Sequence, residues 1–143
     1  ASGPGMGRLR RVKVLPLFPE NRMSSHPLAT ALFELSPDIR YVAIREPGGE
    51  PRLAERAGIV DASSAESDFY EEAIVNPTVL TLLEARGAIG CGGLEFVLIR
   101  YGRFMQFVTS LGGGHLSVSL ETTTYPMELV PRIRALATSH ARA

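Results

Sequence analysis

The chain is expected to fold as an α+β domain: a single antiparallel five-stranded sheet sandwiched by helices, in the order α-β-β-α-β-β-β-α. Three observations point there. Strand-like runs come in tandem, joined by short glycine-rich turns at Pro47-Gly48-Gly49 and Gly112-Gly113-Gly114, and such connections demand antiparallel neighbours. Helical spacing of apolar residues recurs at three separate places. With 143 residues, 45% of them hydrophobic, the chain is long enough for one core and too short for two.

Residues 1–24 read as an arm ahead of a single domain over 25–143. Ala1 to Gly5 is expected to be a remnant of expression, and Arg8, Arg10, Arg11 and Lys13 lead into "VKVLPLFPE". The prolines of that stretch prevent a stable helix, so Val14 to Phe18 is expected to be buried on its own domain or on a second chain. Ser25-His26-Pro27 starts the first helix, whose Leu28, Ala31, Leu32 and Leu35 follow at helical spacing. "IRYVAIRE" is a strand, and "EPRLAERAGI" returns as a ragged one that Pro51 confines to an edge. Ser63-x-x-Glu66 predicts a capping box for a helix ending near Val75. Asn76-Pro77 then interrupts it, with Asn76 as a new N-cap and Val79, Leu80, Leu82 and Leu83 as a broad apolar face up to Gly87. "GGLEFVLIRYG", "RFMQFVTSL" and "HLSVSLE" are the remaining strands. Met127, Val130, Ile133, Leu136 and Ala137 line a closing helix, with Pro131 in its first turn or at its start.

Composition narrows the function classes. Fifteen basic and fifteen acidic residues cancel, so no overall field favours nucleic acid or an anionic membrane, and no apolar run is long enough for a spanning helix. The lone Cys91 forms no internal disulfide, and a reducing, cytoplasmic setting is the expectation. A phosphate cradle needs its glycines ahead of a helix N-terminus, whereas Gly112 to Gly114 precede a strand, so they turn the chain and leave His115 at a strand edge. Cys91 lies after a helix C-terminus, where the dipole disfavours a thiolate, although Arg86 or His115 is a conceivable neighbour. His26, His115 and His140 lack metal-ligand spacing and read as cap or surface residues. Glu71 and Glu72 fall on the solvent side of a helix, and Asp61, Asp68 and Glu95 form no acid–base pair. Arg45, Arg52, Arg56 and Arg100 are candidates for an anion site on one sheet edge. No cofactor, metal or catalytic set is expected, so the chain is read as a non-enzyme.

The element order resembles the roadblock (dynein light chain) superfamily over nearly all of Ser25 to His140. The resemblance rests on the strand "IRYVAIREPGGEPR", the central helix "NPTVLTLLEARG", the hairpin "FMQFVTSLGGGHLSVSLE" and the final helix, and it extends to roadblock-like prokaryotic domains. Profilin-like and longin-like domains have related layouts. The resemblance implies a homodimer through the central helix and third strand, placing Val79, Leu80, Leu83, Val97 and Ile99 at the interface. It also implies a scaffold or adaptor for a small GTPase or for a subunit of a larger complex. A strand with apolar residues on both faces is an aggregation risk at an open edge, which pairing with its own copy removes. The other reading is a small-molecule sensor domain using Tyr41, Arg45, Arg100 and His115, and the third is an enzyme built on Cys91.

Overall fold

Helix α1 (Pro27–Leu35) opens the described part of the computed structural model, residues 26–142. The arm expected over residues 1–24 lies outside the described residues. His26 caps α1: its ring Nδ1 accepts a hydrogen bond from the Leu28 N–H at 3.2 Å, and Pro27 follows where no amide hydrogen is needed. At the other end Arg56 satisfies helix carbonyls, donating to the Phe33 and Ser36 oxygens at 2.8 and 2.9 Å.

Strands β1 (Ile39–Arg45) and β2 (Arg52–Glu55) form the first hairpin, and β3 (Val97–Arg100), β4 (Met105–Leu111) and β5 (Gly114–Leu120) follow the central helix. All five pair antiparallel in the order β2-β1-β5-β4-β3. Because β2 and β3 occupy opposite edges, the chain between them must cross the whole sheet, and it does so as the central helix. The β4–β5 turn is Gly112-Gly113, with φ of 56° and 93°. Positive φ at both corner positions is what a two-residue hairpin with the native twist requires, so the glycines turn the chain as predicted. Gly114 is needed for another reason: a Cβ there would fall 1.7 Å from the Arg45 carbonyl oxygen on β1. A bulge at Arg40 places an extra residue on β1, and its guanidinium ties Glu121 at 3.1 Å to the Val60 carbonyl at 2.9 Å.

The two faces of the sheet differ in chemistry. One carries Ile39, Val42, Ile44, Phe107, Leu116, Val118 and Leu120 against Leu28 and Leu32 of α1 and Leu129, Val130, Ile133 and Ala137 of the closing helix α4 (Pro126–Arg142). Each such side chain, fully buried, contributes about 1.5–3 kcal/mol before entropy, and this is the core. The other face presents Tyr41, Gln106, His115, Ser117 and Ser119, all buried, under the central helix. Pro131 lies within α4, five residues beyond its first residue, and not in its first turn. Met127, expected on the apolar side of this helix, is exposed, and Leu129 takes a buried place in its stead.

The central helix is continuous through Asn76-Pro77, contrary to the expected break. It runs as α2 (Ala65–Tyr70), a π-helical segment Glu71–Val75 and α3 (Asn76–Gly87). A proline inside an α-helix collides with the carbonyl four residues earlier, and the wider π turn ahead of Pro77 relieves that conflict. The carbonyls around the insertion find hydroxyl partners: Thr78 donates to the Ile74 oxygen at 2.6 Å and Thr81 to the Pro77 oxygen at 2.9 Å. Asn76 has helical φ and ψ of −64° and −44°, and its side chain is buried, so it is no cap. Ser64, one residue after the expected Ser63, caps α2 by accepting from the Ser67 N–H at 3.1 Å.

Candidate functional site

The polar face of the sheet and the π segment meet at Glu72. This residue is 0% exposed, against the expectation of a solvent-facing carboxylate. Oε2 accepts from the Tyr41 hydroxyl at 2.8 Å and from Gln106 Nε2 at 3.4 Å; Oε1 accepts from Asn76 Nδ2 at 3.0 Å and lies 2.9 Å from His115 Nε2. Which of Oε1 and His115 Nε2 donates in their contact depends on the tautomer of the ring. Ser117 and Ser119 extend the network through Gln106, with the Ser119 hydroxyl donating to Gln106 Oε1 at 2.6 Å. Burial, and then the charge on Glu72, holds the Tyr41 phenol well above its usual range, so it remains a donor. His115 is 2% exposed and belongs to this interior layer, not to a strand edge.

Toward the N-terminal end of the helix, the layer becomes acidic. Burial, reinforced by Glu55, Glu72 and Glu71, lifts the Asp68 carboxyl to about 7, against a hydrogen bond from Ser63 that lowers it. Burial also raises Glu71, whose Oε2 accepts from the Tyr101 hydroxyl at 3.1 Å, and Tyr101 is pushed up to about 12 by burial and then by Glu71. At the opposite end the layer opens into a cleft of about 390 Å³ between α3, the β1–β2 corner and the β4–β5 hairpin. Arg45, His115, Ser110, Thr81 and Glu84 supply its polar walls.

The structure brings together three of the four residues expected in a sensor site. Tyr41 and His115 share Glu72, and Arg45 lines the cleft with His115. Arg100 stands at the far edge on β3 and donates to the Tyr101 carbonyl. The arginine cluster does not form. Arg56 is spent on backbone carbonyls, Arg52 pairs with Glu46 at 3.7 Å, and β2 and β3 lie at opposite edges. Cys91 is exposed with Arg86 Nη1 2.9 Å from its sulfur, but His115 is committed to Glu72 and gives it no base. His26 is a cap as expected, and its ring stacks at a tilt 5.2 Å from that of His140. Among the described residues no three His, Cys, Asp or Glu side chains are placed to hold a metal ion, and no helix is long and apolar enough to cross a membrane.

The five residues expected at an interface divide by depth. Leu80 is buried against the sheet, Val79 is half-buried, and Leu83 is partly exposed beside a more exposed Leu82. Val97 and Ile99 are half-buried on edge strand β3, opposite Val108 and Gln106, and so share the sheet face that carries the central helix. Sequence reasoning missed Glu72, Asn76 and Gln106. The available signal was Gln106 within the apolar run "FMQFV", a polar residue where an interior strand has no solvent to face.

No protein-family model matches the chain, and no curated protein is significantly similar to it. Solved structures do match. The Roadblock/LC7 domain from Streptomyces avermitilis superposes with a TM-score of 0.60 at 15% identity, covering 78% of this chain and 90% of that one. MglB in a tetrameric arrangement gives 0.56 at 15% identity over 80% and 85%. The gliding protein MglB from Thermus thermophilus gives 0.55 at 14% over 80% and 86%. With its sheet order, its central helix on one face and its two flanking helices on the other, the chain has the roadblock-like fold.

Proposed function

We propose that this domain is a non-catalytic dimerisation and adaptor module of the cytoplasm. A single observation carries the reading: among the described residues a set of apolar side chains is left exposed or half-buried, Ile74, Leu82 and Leu83 on the central helix and Val97 and Ile99 on edge strand β3, and together they are read as one strip. Leu82 is 65% exposed and Ile74 51%. Beside it the four-residue β3 has no strand paired to its outer edge among the described residues, the kind of edge that proteins cover or pair. A second copy, related by a two-fold axis, covers both at once, helix against helix and β3 against β3. The MglB structure in a tetrameric arrangement shows that this fold supports self-assembly elsewhere, which supports the reading here.

In such a dimer Val79, Leu83, Val97 and Ile99 form the contact, with Leu80 supporting them from beneath. The surface left free seats a partner, such as a small GTPase or a subunit of a larger complex, as the roadblock resemblance implies. Sedimentation velocity at micromolar concentration tests the assembly. The expected result is a dimer mass for the native chain and a monomer mass for Val97→Lys, with unchanged circular dichroism in both. A native chain that sediments as a monomer overturns the proposal.

A further inference from the structure

The cleft beside α3 is separate from the dimer strip. Pro77, Thr81 and Glu84 face it from one flank of α3, whereas Val79 and Leu82 fall on the other at about 100° per residue. Its volume of about 390 Å³ lies within the ordinary range of about 300–1,000 Å³ for small-molecule sites. At its tip, Gly113 and Gly114, the hairpin wall is bare backbone. Gly114 packs directly on the Arg45 carbonyl and Gly113 faces the Pro47 ring, where a Cβ would lie 3.3 Å from Cγ. The glycine run therefore does more than turn the chain: it keeps side chains off the tip of the hairpin beside the cleft, whose lining includes the buried His115.

The charges in the cleft are segregated. On one side Arg45 is fixed by its Nε, which donates to the Gly49 carbonyl at 3.0 Å, while its two terminal nitrogens make no hydrogen bond among the described residues. His115 stands next to it. Its Nε2 is held by Glu72 at 2.9 Å, so the ring is locked in orientation and Nδ1 is its remaining polar atom. On the other side Glu84 accepts from the Ser110 hydroxyl through Oε2, which leaves Oε1 without a partner among the described residues. Glu46 at the mouth is paired with Arg52, so it does not cancel Arg45. Leu80 and Pro77 provide an apolar surface between the two sides.

A planar guanidinium on one wall recognises a carboxylate, and a free carboxylate on the other recognises an ammonium group. A ligand with one charge only leaves the opposite wall unmatched. We propose that this cleft binds a free α-amino acid, its carboxylate on Arg45 and its ammonium on Glu84. The buried Glu72 network then has a place beside the site as well: it fixes the histidine that stands next to Arg45 in the cleft lining. Burying a carboxylate with its partners is often no more stabilising than an apolar substitute.

The test is thermal denaturation and titration calorimetry of the intact chain against the common L-α-amino acids, with propionate and ethylamine as single-charge controls. The expected result is a Tm several degrees higher with at least one amino acid and no shift with either control. Glu84→Gln, which keeps the shape, and Arg45→Gln are each expected to weaken that binding by roughly tenfold or more. Should Arg45→Gln fail to fold, Thr81→Arg fills the cleft from the exposed face of α3 and is expected to abolish the shift. The proposal is overturned if no amino acid shifts Tm, or if propionate matches the amino acid and Glu84→Gln changes neither. Sedimentation of the same samples separates this result from the dimer: a dimer without a ligand shift removes only the cleft proposal, and a monomer with one removes only the dimer.

Discussion

Asp68→Asn should stabilise the domain at alkaline pH and leave it nearly unchanged in acid. Asp68 sits in α2 facing Glu55 of β2, with Glu71 and Glu72 three and four residues further along the helix, and burial with those charges lifts its carboxyl from 3.8 to about 7. A carboxyl whose pKa is raised by folding binds its proton more tightly in the native state than in the unfolded chain. Its contribution is therefore best below the ordinary value and is lost as pH rises from there through about 7. Roughly three units at about 1.4 kcal/mol each set a ceiling of about 4 kcal/mol, and solvent at the half-buried carboxyl reduces this to about 2 kcal/mol. Asparagine keeps a polar partner for Ser63 and carries no charge. Urea unfolding followed by circular dichroism should then show a gain of about 2 kcal/mol at about pH 8 and almost none at about pH 4, with Tm at the higher pH up by roughly 5–10 °C. An equal effect at both pH values, or destabilisation at the higher one, would refute the electrostatic origin.

Removing the Glu72 side chain as Glu72→Ala strips the acceptor from Tyr41, Asn76, Gln106 and His115 together, and urea unfolding should report a loss of about 3–5 kcal/mol. Gly114→Ala drives a Cβ into the Arg45 carbonyl and should cost about 3 kcal/mol or more, whereas Gly112→Asn, at φ 56° with open space around it, should cost little by the same measurement. Burial, then the charges of Arg52 and His140, lowers the pKa of His26, so its cap on α1 is intact above the ordinary value of 6.5 and is lost as pH falls below it. Stability measured between about pH 5 and pH 7 should fall less steeply in His26→Asn, which caps at any pH.

Local signals carried most of the fold. Two positive-φ glycines between alternating runs specify a hairpin wherever they occur, and a proline after His26 marks a helix start without reference to the rest of the chain. The polar layer was not legible in that way. Tyr41, Gln106 and His115 lie 31, 34 and 43 positions from Glu72, and only the order β2-β1-β5-β4-β3 brings them under one helix. Along "HLSVSLE" the serines alternate with apolar residues as a solvated face would, yet Ser117 and Ser119 are buried, because period two reports which residues share a face and not what covers it. The same ambiguity hid Glu72. A helix polar on several sides gives no indication of which polar side meets the sheet, and the π turn shifts the phase by a residue where a regular wheel is assumed.

That polar layer also bears on assembly. A helix seated on an apolar sheet face spends its large apolar side chains there; this one seats Glu72, Asn76 and Leu80 inward and leaves Ile74, Leu82 and Leu83 partly or fully outward. The face toward the sheet is held by hydrogen bonds and one buried carboxylate, which fix geometry but add little net stability. In the proposed dimer, therefore, the outer flank of the central helix adds hydrophobic stabilisation that the face toward the sheet does not supply. Among the described residues the buried apolar cluster lies on the α1–α4 face, and the other face is largely polar. Mutations on the outer flank should accordingly affect stability in a concentration-dependent way: Leu82→Ser should lower Tm at concentrations where the chain is dimeric and leave it unchanged where dilution has already separated the copies. A Tm that responds equally at both concentrations would place Leu82 in the monomer's own packing and remove the link between the polar layer and assembly.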